Sequence, residues 1–135
     1  MYASEIEILK TLLVNEKEIL KRVVEKARRL IGIDETSGTT VITADRSKLR
    51  DKDLVYLIVL GRYFSYKLGL TSTDTINTDE VTQESGLRKD IASARLHDLK
   101  VEGTAELTST ATWKAVYARA EESIDRILSK VGTIG

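Results

Sequence analysis

The 135-residue chain contains no cysteine and no proline, and only one each of Phe, Trp, Met and His. The absence of cysteine excludes disulfides, thiolate zinc sites, iron–sulfur ligation and a cysteine nucleophile together. The absence of proline removes the usual breaker of long helices. Long apolar runs are also missing. The longest, Leu54 to Leu60, falls far short of the roughly 18 residues needed to cross a bilayer. Nor is there an excess of charge of either sign: 21 Lys and Arg balance 21 Asp and Glu, so any attraction to nucleic acid or membrane must come from a local patch.

Several catalytic and binding signatures are lacking as well. There is no Gly-Lys-Ser/Thr phosphate loop, and Asp74, Asp79, Glu80 and Glu84 have neither the spacing nor the glycine of a calcium loop. His97, with Asp98 and Glu102 beside it, cannot supply a three-ligand metal site by itself. Tyr63 and Lys67 have a spacing seen in dehydrogenases, but no Gly-x-Gly-x-x-Gly follows a strand, so the pair reads as a packed helix end. No acid–base or covalent chemistry has an evident home, and we expect no enzyme, no cofactor and no metal.

What the chain does contain is a core: hydrophobic residues at 41% and charged residues at 31% exclude wholesale disorder, and the length suits one domain with material left for an arm. Met1 to Glu5 lack the basic and then apolar pattern of an export signal, so a cytoplasmic protein is expected. Ser4 followed by Glu7 is a capping-box signature, and Gly32 is placed as a stop, which predicts one helix from about Glu5 to Ile31. Ile6, Leu13, Leu20 and Ala27 fall seven apart, with Leu9, Val23 and Leu30 at companion positions. Such a helix, about 28 residues and roughly 42 Å long, exceeds a globule whose radius of gyration is near 14 Å. Its stripe (Ile6, Leu9, Leu13, Leu20, Val23 and Leu30) then seeks either a second copy or the chain's own C-terminal helix, and the first is the reading adopted.

Beyond it, Thr39 to Thr43 is β-branched and reads as a strand. A helix from about Ser47 or Asp51 to Leu68 is apolar nearly all round, although its β-branched content leaves a strand open for Leu54 to Leu60. Gly69 is its stop. Two short helices follow, at about Thr78 to Ser85 and Arg88 to Glu102, divided by Gly86, with Thr78 as a cap. A last helix from about Ser109 to Lys130 carries Trp113, Val116, Tyr117, Ala120, Ile124, Ile127 and Leu128 as core.

From Asn77 to Gly103 the sequence reads NTDEVTQESGLRKDIASARLHDLKVEG. With Val81, Gly86, Leu87, Ala92, Leu96, Leu99 and Gly103 at its core and turn positions, this stretch resembles the winged helix-turn-helix superfamily. The resemblance implies a mainly α fold with a small β element. Residues 1–32 would form a long dimerisation helix, 33–108 a winged helix-turn-helix-like core with a reduced wing, and 109–135 a C-terminal helix packing on the first. A strand at Val41 could then pair with Ala105 to Leu107. It implies double-stranded DNA binding by a homodimer in transcriptional regulation, with an adaptor that assembles protein complexes as the alternative. The second of the two short helices would present Arg88, Lys89, Ser93 and His97, with Arg95 and Lys100 at its edges. Arg46, Lys48 and Arg50 form a second basic cluster that could hold flanking phosphates. A small-molecule effector pocket between the terminal helices would follow from family analogy alone.

Overall fold

A computed structural model describes residues 2–132; Met1 and positions 133–135, the end of the expected C-terminal unit, lie outside the described residues. The chain is mostly helical with a small amount of antiparallel sheet. The expected first helix is two: α1 (Tyr2–Lys10) and α2 (Glu16–Ala27). The break has a local cause, because the Asn15 side chain accepts from the backbone N–H groups of Lys17 and Glu18 and starts a new helix. Ser4 therefore lies inside α1 rather than capping it. At the other end Gly32 does not stop the helix but lies in β1 (Ile31–Ile33), which pairs antiparallel with β2 (Thr40–Ile42). Val41 thus faces Gly32, and the expected pairing with Ala105 to Leu107 does not form.

The core is built on α3 (Asp51–Lys67), buried without interruption from Asp53 to Arg62. The strand alternative for Leu54 to Leu60 is thereby excluded. A helix apolar on all faces can be buried only if elements surround it, and β1, β2, α4 (Thr78–Ser85), α5 (Lys89–Glu102) and β5 (Thr112–Ala115) all pack on it. Gly69, with φ of 78°, lies just beyond its C-cap.

α4 begins at a full capping box: Asn77 Oδ1 accepts from Glu80 N–H, and Glu80 Oε1 accepts from Asn77 N–H. Asn77, not Thr78, is the cap. Gly86 closes α4 in the left-handed conformation at φ 74°, and Gly103 closes α5 in the same way at φ 80°.

The largest departure from expectation follows α5. In place of a helix from Ser109, the chain forms β4 (Ala105–Ser109) and β5, joined at Thr110 and Ala111, and only then α6 (Ala120–Val131). The two-residue β3 (Ile76–Asn77) completes a sheet of order β3-β5-β4. Trp113 is buried, as expected of a core residue, but from a strand. Its indole N–H donates to Thr78 Oγ1 at 3.1 Å and fastens the sheet to α4.

α6 lies against α2 through an ion cluster: Glu121 accepts from Arg22 at 3.0 Å and Lys26 at 3.1 Å, and Asp125 binds Lys26 at 2.9 Å. Val23 on α2 and Leu30 in the turn that follows it, both expected on a dimer seam, are instead buried in this chain's own core. Ile6, Leu9, Leu13 and Leu20 remain exposed.

Candidate nucleic-acid interface

α5 buries Ala92, Leu96 and Leu99 against α3 and α4 and turns Lys89, Asp90, Ala94, His97, Asp98, Lys100 and Val101 to the exterior. The tight turn at Gly86 fixes this orientation, and Leu87 N–H donates to Ser85 Oγ within it. Arg88 stands at the N-cap with extended backbone and no side-chain cap bond, and its side chain is exposed at the leading end. Lys89 follows in the first turn.

Both cations meet carboxylates. Arg88 pairs with Asp90 at 3.0 Å, and Lys89 reaches Asp79 of α4 at 3.0 Å. All four side chains are largely exposed, which makes each pair worth about 0–1 kcal/mol and leaves both cations exchangeable. Ser93 was expected to face outward and Arg95 to lie at an edge of α5. Ser93 and Arg95 are half-buried, and Arg95 is held by Asp98 at 2.8 Å, one turn along on the same helix. His97 is exposed with its ring edge-on to Trp113 at 5.2 Å, which ties it to the sheet side of α5. Lys100 is exposed and makes no ion pair among the described residues.

Two side chains at the second basic cluster reach the helix-turn-helix segment. Arg46 donates through its guanidinium to the Ser85 carbonyl, at the end of α4. Lys52 pairs with Glu102, in the last turn of α5. Between these two anchors Lys48 and Arg50 are exposed. Sequence reading gave these cations a role in holding flanking phosphates; two side chains of the segment, Arg46 and Lys52, reach the end of α4 and the last turn of α5.

The tip of the β4–β5 hairpin, Thr108 to Thr110, is a part of the surface that sequence reading missed. All three residues are exposed and bear hydroxyls. The signal in the sequence was the alternation of apolar Trp113 and Ala115 with polar Thr112 and Lys114.

Elsewhere, Arg62 is buried and holds Glu80 at 2.6 Å and Glu84 at 3.6 Å, while also donating to the Thr75 carbonyl at 3.0 Å. Burial pushes the Glu84 carboxyl above its ordinary value. Glu84 also accepts from Thr40 N–H at 3.0 Å, so the cluster joins α3, α4 and β2 and serves to hold them together. Tyr63 stacks on Tyr117 at 4.6 Å with Lys67 over its ring, in keeping with a packed helix end. No group of three or more metal-ligating side chains occurs among the described residues. No helix of the described residues is long and apolar enough to cross a membrane. Comparison with protein-family models, curated proteins and solved structures finds no match to this chain.

Proposed function

We propose that the unit from α3 to β5 is a winged helix-turn-helix and that the protein binds double-stranded DNA as a homodimer in transcriptional regulation. The observation that carries this reading is the order helix, short strand, helix, glycine turn, helix and hairpin, with α5 exposed on the face away from the core. In such an arrangement α5 enters a major groove while the hairpin tip touches the neighbouring backbone. Arg88 and Lys89 offer cations to guanine edges or phosphates where the helix N-terminus itself attracts anions. Arg46, Lys48, Arg50 and Lys100 line the flanks, and hydroxyls at Ser93 and Thr108 to Thr110 add neutral phosphate donors. His97 completes the outward set.

A second reading is favoured by a specific observation. Asp79, Asp90 and Asp98 stand on or beside the same face, each within ion-pair distance of one of its cations, and would repel phosphates. Val101, 88% exposed, adds an apolar contact there. These features suit a protein-binding adaptor. Titration of random-sequence duplex with salt separates the two. Duplex binding predicts an affinity that falls steeply with salt and, for Lys89→Ala, a log–log slope shallower by about 1. Absence of binding at low salt would favour the adaptor.

A further inference from the structure

Every described side chain from Ser4 to Glu18 is exposed, including Ile6, Ile8, Leu9, Leu12, Leu13 and Val14. A helix and link whose described large apolar side chains all meet water form an interaction element awaiting its partner. Elsewhere on the molecule lies an open apolar groove of about 330 Å³ lined by Leu20, Val24, Ala27, Ile31, Phe64 and Leu68. Its remaining lining includes Arg28 and Lys67 and no carboxylate.

We propose that this groove seats α1 of a second copy of the chain, with the two copies exchanging arms reciprocally. Charge supports this occupant. Glu5, Ile8, Leu9 and Leu12 fall at i, i+3, i+4 and i+7, which places one acid at the end of an apolar stripe. The groove offers the complement: apolar walls with Arg28 and Lys67, of which Arg28 makes no ion pair among the described residues. Chain geometry argues for exchange rather than folding back. Thr11, Leu12 and Leu13 still bond back to the carbonyls of Ile8, Leu9 and Lys10, while Asn15 caps α2. The five-residue link 11–15 leaves α1 clear of this chain's own groove, since Ile8, Leu9 and Leu12 all stay exposed.

The inference rests on the homodimer part of the proposed function and replaces a seam of paired α2 helices with an arm in a groove. It does not depend on DNA. Because the chain has no cysteine, Leu9→Cys and Val24→Cys can each be introduced alone. Mixed at micromolar concentration under mild oxidation, the two variants should form a disulfide-linked pair containing one of each. The double variant should cross-link between chains. Sedimentation should show a wild-type dimer and a Leu9→Asp monomer that keeps the wild-type circular dichroism spectrum, with a melting temperature no longer dependent on protein concentration. An internal disulfide in a monomeric double variant would overturn the exchange, as would cross-linking of Leu9→Cys to itself in preference to Val24→Cys. A Leu9→Asp variant that stays dimeric, with no cross-link between the single variants, would defeat the arm exchange and leave the homodimer standing. A monomeric wild type would remove both. Duplex affinity is read separately, so its loss alone leaves the exchange intact.

Discussion

Gly61 lies in the middle of α3, where helix propensity would favour alanine by about 1 kcal/mol. It is glycine because β2 crosses at that point. A Cβ there would sit 1.9 Å from Thr40 Oγ1 and 2.9 Å from both Thr40 Cβ and Cγ2. Thr40 cannot easily retreat, since its N–H is bound to Glu84, which Arg62 holds in turn. Overpacking of this kind typically costs roughly 1–3 kcal/mol, and three clashing atoms put this case at the upper end, well above the propensity gain. Gly61→Ala should therefore lower the urea midpoint, and Thr40→Gly in the same chain should restore part of the loss. A midpoint equal to or above wild type would show that β2 does not press on α3.

The pairing of α2 with α6 is electrostatic at its rim and therefore depends on pH. Hydrogen bonds from Arg22 and then Lys26 hold the Glu121 carboxyl at about 2, below its ordinary 4.5. Folding lowers this pKa, so the contribution is complete above the unfolded value and is lost as the pH falls from about 4.5 toward 2. Glu121→Gln should flatten the fall in melting temperature across that window and change little at pH 7 beyond a constant offset. An unaltered acid limb would mean that the pairs break in solution.

Which elements were legible in the sequence follows from how local their signals are. α4 and α5 could be bounded to within a residue because Gly86 and Gly103 stop them by backbone conformation. The N-terminal break was hidden by an apolar spacing of seven that continues across it, although Asn15 followed by Glu16 and Glu18 is a capping signal. The β4–β5 hairpin was missed for two reasons. The 3.6-residue pattern of α6 can be extended backward onto Val116 and Trp113, and the turn carries no Gly or Asn. Ala111 instead takes the left-handed conformation at φ 51°, a choice no local rule favours. The outward cations of α5 could be read from helical spacing, but their carboxylate partners could not: the Lys89–Asp79 pair depends on how α4 and α5 pack.

For the molecule as a whole, a net charge of zero means that long-range attraction to a polyanion is weak, so duplex binding would depend on two cationic faces acting together. Each face would supply few phosphate contacts, and each is diluted by its own aspartates. Joining two such faces raises affinity by roughly 10²–10⁴-fold when both sites can be engaged at once. With symmetric α5 helices, the half-sites should lie about 34 Å apart, one turn of the duplex. Leu9→Asp, which alters only an exposed arm residue, then becomes a test of the assembly. Wild type should protect two half-sites in a hydroxyl-radical footprint, and the variant should protect one, at least about 10²-fold more weakly at the same salt. Equal footprints and equal affinities for a demonstrably monomeric variant would mean that one α5 suffices, and the homodimer would have no part in DNA recognition.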